Sequence, residues 1–250
     1  MSIWGKVIGG VAGFAMGGPL GAILGATAGH AVDKVREAEA VAGIAAGGDA
    51  GERQVAFTTA VIVLCAKMAK ADGHVTKDEI AAFKRIFQIP PEEQDNVGKL
   101  FNEARREATG FEPYAQQIAS LFYRQPAVLE EILGALFVIA KADGVVHPSE
   151  LQFVQQVAAI FGFRPHQFER LKSIHLGDAG NEPDAYEVLG LTPAATDAEI
   201  KKTYRTLIRE NHPDALMAQG MPQEFIDLAN GKMAAINAAY DTIAKLRGLK

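Results

Sequence analysis

Apolar residues recur at spacings of three and four along most of the chain, and no run alternates apolar with polar as a half-buried strand requires. The pattern predicts an all-α protein. "VAFTTAVIVLCAKMAKADG" (55–73) is apolar almost all round and predicts a long, mostly buried helix. "PYAQQIASLFYR" (113–124) and "FVQQVAAIFG" (153–162) also carry the helical period, and Pro90-Pro91, Gly110 and Pro126 punctuate the stretch. Further on, a short helix from Asp184 to Leu189 is expected to stop at Gly190. A second opens at the capping-box pattern Thr196-x-x-Glu199 and runs to about Glu210. It places Ile200, Tyr204, Leu207 and Ile208 on an apolar face and Lys201, Lys202, Arg205 and Arg209 on a basic one. A third carries Phe225, Ala229, Met233, Ile236, Tyr240 and Ile243 at core spacings. Between these two stands His212-Pro213-Asp214, and because proline disfavours helix at the residue before it, the triplet is expected in a loop.

The first thirty residues follow another pattern. Between Lys6 and Asp33 there is no charged side chain, and glycine falls at every fourth position from Gly5 through Gly9, Gly13, Gly17, Gly21 and Gly25 to Gly29. A step of four drifts only about 40° around a helix, so these glycines form one slanted groove. Such a groove lets a second helix approach closely, as in membrane helix packing. In water, seven glycines at roughly 1 kcal/mol each oppose the helix. In a bilayer the backbone must be satisfied internally, and the stretch is about long enough to span. Residues 5–29 therefore read as a membrane-embedded or peripheral glycine-zipper helix with a capacity for self-association. A soluble association helix, a Gly/Ala linker and a cleaved signal peptide are its rivals. The flanking charges, Lys6 before and Lys34 and Arg36 after, do not decide the topology.

The middle of the chain contains an echo: "AKADGHVTKDEI" (69–80) returns as "AKADGVVHPSEL" (140–151). Asp-Gly followed by valine two residues on and glutamate six residues on is the second half of an EF-hand loop. The first half is missing, since its opening ligand positions would fall on Met68 and Lys70, or on Ile139 and Lys141. Helix-turn-helix capping explains the same residues: Gly73 and Gly144 as helix C-caps, Thr76-x-x-Glu79 as a capping box, Pro148 in a first turn. A metal-linked role for Asp72, Glu79, Asp143 and Glu150 stands as the alternative.

The 250 residues, with a net charge of -5, suffice for one large domain or two modest ones and give no reason to expect nucleic acid. The single cysteine, Cys65, rules out an internal disulfide framework and reads as a buried core thiol. No cofactor is implied.

The segment with the two Asp-Gly turns resembles the TerB-like family of tellurite-resistance-associated helical domains. "DAYEVLGL", "AEIKKTYRTLIRENHPD" and "MAAINAAYDTI" together resemble the J domain of DnaJ-type co-chaperones. Two departures are "ALMAQGMPQEF" (215–225), longer than in the commonest J domains, and the ending "AKLRGLK". The resulting division is a glycine-zipper segment at 1–30, a linker at 31–52, a TerB-like helical bundle with a pseudo-repeat at 53–176, a linker at 177–183 and a J domain, a helical hairpin with flanking helices, at 184–250. That order is the one found in the DjlA family of membrane-anchored DnaJ-like proteins. The resemblance implies a bacterial inner-membrane protein whose TerB-like and J domains face the cytoplasm. It also implies a DnaK-type partner, whose ATP hydrolysis the J domain stimulates.

For the triplet itself, catalysis would need a third group that the neighbourhood does not offer, and one histidine with one carboxylate is too few for a metal. A recognition handle fits: a rigid proline, an imidazole and an acceptor-only carboxylate at the tip of a basic helix. His212, Pro213 and Asp214, with Lys201, Lys202, Arg205 and Arg209, are therefore the expected partner-binding residues, and the chain is not expected to be an enzyme. Tyr186, Leu189, Tyr204 and Tyr240 read as core. The rival function is a membrane-associated metal or stress-responsive TerB-like protein that recruits DnaK secondarily.

Overall fold

The computed structural model describes residues 50–72, 76–106, 110–177, 184–219 and 221–249. The glycine-zipper segment and most of the adjoining linker lie outside the described residues, as do Gly73 and residues 178–183. Among the described residues every regular element is helical.

Helix α1 (Ala50–Asp72) is the axis of the larger body, and its first turn lies in what composition reads as linker. From Phe57 to Ala69 it is buried on all sides, as its nearly continuous apolar sequence requires. Around it pack α3 (Gln94–Arg106), α4 (Glu112–Leu121), α5 (Pro126–Ala140) and α6 (Pro148–Ile160), while α2 (Lys77–Phe87) and α7 (Pro165–Leu176) pack on α5. Cys65 is buried, and burial pushes its thiol pKa well up, so it is an unreactive core residue.

Local signals in the repeat fold as capping devices. Thr76 accepts from the Glu79 amide at 3.1 Å while Glu79 accepts from the Thr76 amide at 2.6 Å. In the second copy Pro148 opens α6 and Glu150 accepts from the His147 amide at 2.9 Å. The two copies differ at the preceding helix end. α1 runs through Asp72, whereas α5 stops at Ala140, three residues earlier in the repeat, and is followed by a turn in which Asp143 accepts from the Val145 amide at 2.9 Å. Gly144 is therefore not a helix C-cap; it closes that turn at a φ of 88°.

The C-terminal part comprises α8 (Ala185–Val188), α9 (Asp197–Glu210), α10 (Pro213–Ala218) and the long α11 (Ile226–Arg247). Val188, Leu189, Ile200, Ile236, Ala239 and Ile243 form its small core, with Tyr186, Tyr204 and Tyr240 packed against it. Gly190 ends the first helix at a φ of 69°, which a side chain there would resist.

Candidate functional site: the His-Pro-Asp corner

Helix α9 starts where the sequence places it. Thr196 and Glu199 exchange capping hydrogen bonds, with Glu199 accepting from the Thr196 amide at 2.7 Å. Tyr204 stacks on Tyr240 at 4.0 Å between centroids, and its hydroxyl donates to Asn237 at 3.0 Å. These contacts pin the apolar side of α9 to α11. On its outer side Lys202, Arg205 and Arg209 are exposed, and Lys201 is half-buried.

The triplet is not a loop. His212 is the N-cap of α10, and Pro213 and Asp214 are its first two residues. Proline excludes helix only at His212, and at the first helical position its fixed φ and missing donor are advantages. His212 Nδ1 accepts from the Asp214 amide at 3.2 Å, and Asp214 Oδ2 lies 3.8 Å from Nδ1. Nε2, on the far side of the ring, carries the ring proton in this tautomer. Asp214 is 81 % exposed as a side chain and His212 49 %. The corner thus presents an exposed carboxylate and an imidazole N–H, held in orientation by a proline and an N-cap, at the end of a row of cations.

Arg247, which the sequence reading passed over, clamps the end of α11 to the α8–α9 connection. It donates to the Tyr186 hydroxyl at 2.8 Å, to the Ala195 carbonyl at 2.7 Å and to the Pro193 carbonyl, and pairs with Asp197 at 3.2 Å.

The three metal candidates whose side chains are described serve as local caps and turns. Glu79 and Glu150 cap different helices, Asp143 binds its own turn, and the side chain of Asp72 lies outside the described residues. Among the described residues no three His, Cys, Asp or Glu side chains are grouped closely enough to hold a metal ion.

A second polar cluster had gone unread. Glu130 and Glu131 on α5, Arg170 on α7 and Lys232 on α11 are all buried. Lys232 Nζ donates to Glu130 and, at 3.1 Å, to Glu131, while Arg170 donates to the other oxygen of Glu130. Burial alone would raise the Glu130 pKa, but the two cations outweigh it and hold the group at about 2. Glu131 is raised, because burial dominates and only one cation is in contact. The signal was "LEEIL", two carboxylates inside an otherwise apolar helix. Their partners, Arg170 at 40 residues from Glu130 and Lys232 at 102 and 101 residues from the two carboxylates, were invisible in it.

With this geometry in place, comparison with known proteins is informative. Three family descriptions match in chain order: the co-chaperone DjlA transmembrane domain over residues 1–48, tellurite resistance protein TerB over 58–173 and the DnaJ domain over 184–246. Co-chaperone protein DjlA of Photobacterium profundum is 34% identical across 99% of this chain and all of its own length. The chain belongs to the DjlA co-chaperone family. DjlA of Coxiella burnetii, at 33% identity over 98% of both chains, and DjlA of Shewanella oneidensis, at 34% over the full length of both, are similar in the same way. No solved structure matches. As a DjlA-family chain with a DnaJ domain, the protein is a J-domain co-chaperone. The DnaJ domain implies an Hsp70-class partner, and the transmembrane family match implies membrane association through the N-terminal segment. No helix among the described residues is long and apolar enough to cross a membrane.

Proposed function

We propose that the chain docks on a DnaK-type chaperone through α9 and the His212–Asp214 corner and stimulates its ATP hydrolysis, at the cytoplasmic face of the bacterial inner membrane. The exposed Asp214 carboxylate, presented by the capped start of α10 beside a cationic row, carries the reading. A charge-assisted bond from a partner arginine suits an acceptor-only group held in this way. Lys201, Lys202, Arg205 and Arg209 steer encounter with an acidic patch, and the triplet biases the partner between its states. The bond-breaking chemistry belongs to the partner. The glycine-zipper segment, residues 5–29, anchors the chain and offers a groove for a second copy.

The test is single-turnover ATP hydrolysis by the DnaK-type partner with the full chain in nanodiscs, beside Asp214→Asn and His212→Asn. Asparagine is itself a good N-cap, so His212→Asn removes the imidazole without uncapping α10. Stimulation by the parent and its loss in both variants is the expected result. A folded parent that fails to stimulate, beside an active DnaJ control, overturns the proposal.

A further inference from the structure

The extra residues between the triplet and the last helix have a destination. Leu216, Met221 and Phe225 are buried, but in the core built by α1 to α7 rather than in the small core of α8, α9 and the C-terminal half of α11. The helical period marks Phe225 as a core position without saying of which core. Its ring meets Phe57 at 4.6 Å and Phe87 at 5.2 Å between centroids, both edge to face. Ala229 follows on the same side, and one turn later Lys232 reaches the buried carboxylates of α5. On the other flank α8 packs on α7, and Gly190 lies over the Arg170 stem so closely that an added Cβ would stand 3.2 Å from Cδ. Helix α11 is therefore shared: its first two turns belong to the larger body, and its remainder supports α9.

We infer that residues 50–176 are a positioning domain for the His-Pro-Asp corner, acting through the seam formed by Leu216, Met221, Phe225 and Lys232. The inference rests on the co-chaperone reading above. Helix α10 has six residues, far too few to persist by itself in water. Its N-terminus has a proline and a cap, and it packs on α9 and on α11, but its one buried side chain, Leu216, belongs to the larger core. With the seam open α10 frays, and Asp214 loses the direction that the fold gives it. The cationic row does not share this dependence, because α9 is held by Ile200, Ile236 and Ile243. Opening the seam should therefore lower the stimulated rate at saturation while leaving the half-saturating concentration nearly unchanged.

The experiment uses the full chain in nanodiscs, with spin labels on cysteines placed at Tyr123 and Leu246, both highly exposed and on opposite sides of the seam. Phe225→Ala opens the seam, Phe225→Leu is the conservative control, and Lys232→Met is the second opening variant should Phe225→Ala lose its helical circular dichroism. A narrow distance distribution is expected in the parent and in Phe225→Leu, and a broadened one in the opening variants. In single-turnover hydrolysis their plateau should fall about ten-fold, with half-saturation moved less than about two-fold, as befits misorientation of a docked group. Phe225→Leu should keep the plateau. A full plateau in a variant whose distances have broadened overturns the inference, as does a broad distribution in the parent. Undisturbed distances and plateau in both opening variants overturn it as well. A parent with narrow distances that stimulates at no concentration sinks the co-chaperone reading and takes the positioning role with it, while the seam itself stands.

Discussion

Replacing Lys232 with methionine separates buried charge from buried volume at the seam. The unbranched stem is kept and the ammonium is lost. Glu130 retains Arg170, but Glu131 loses its hydrogen-bond donor, and its second oxygen is already enclosed without a partner. Removing one member of a buried ion pair costs about 3–5 kcal/mol, and since Glu130 stays paired the lower end, about 3 kcal/mol at neutral pH, is expected. Glu131→Met in the same chain removes the stranded carboxyl, and the double variant should return to within about 1 kcal/mol of the parent. The sign of the pH dependence is fixed as well. Glu131 is an acid whose folded pKa is raised, so the stability tied to its neutral form is complete below the unfolded value and is lost as pH rises through the folded one. In Lys232→Met that rise is larger, so the deficit relative to the parent should shrink as pH falls from 7.5 to 5.5. Urea unfolding of the four proteins of the cycle, in a mild detergent and followed by circular dichroism at both pH values, measures all of this. A single-variant loss under about 1 kcal/mol, with no coupling between the two positions, would refute the argument that the seam contains a desolvated ion cluster.

Three further outcomes follow from the same geometry. His175 is held neutral, its pKa lowered from 6.5 to about 3 by burial first and the Lys232 ammonium second, and its Nε2 is enclosed without a partner. Stability linked to that neutral ring is complete above pH 6.5 and is lost as pH falls toward 3. About 2 kcal/mol should disappear between pH 6.5 and 5, and His175→Phe should abolish most of that slope in pH-dependent unfolding. Arg247→Gln should speed hydrogen exchange at residues 193–200 without changing exchange in α1, because it removes the clamp on the α8–α9 connection alone. Raising salt from 50 to about 300 mM should raise the half-saturating concentration for partner stimulation and spare the plateau, because Lys202, Arg205 and Arg209 are exposed and act through a screened field.

What could be read in the chain and what could not divides by range of interaction. The capping boxes at Thr76 and Thr196, the start of α6 at Pro148 and the stop at Gly190 are contacts among residues three or four apart, so the local string contains both partners. The triplet was placed in a loop because the rule for the residue before proline was applied to all three positions. It governs His212 alone, and the neighbouring rule for proline at a helix start governs Pro213. The helical period put Phe225, Ala229, Met233, Ile236, Tyr240 and Ile243 at core positions. Phe225 and Ala229 lie in the larger core, Ile236 and Ile243 in the smaller with Tyr240 against it, while Met233 is only half-buried and its neighbour Lys232 is buried instead. A period states which residues share a side of a helix, never which element lies opposite.

By itself, then, the sequence determined an all-α chain, the helix starts at Lys77, Pro148 and Asp197, the basic row and the His-Pro-Asp motif, since each follows from backbone propensity and short-range hydrogen bonding. Only the tertiary structure decided that Glu130 and Glu131 meet Arg170 and Lys232, and that Leu216, Met221, Phe225 and Ala229 are built into the body that precedes them. Desolvation makes those choices: a buried carboxylate must find a cation wherever the chain folds one into reach, and an apolar face is covered by whichever surface excludes water from it.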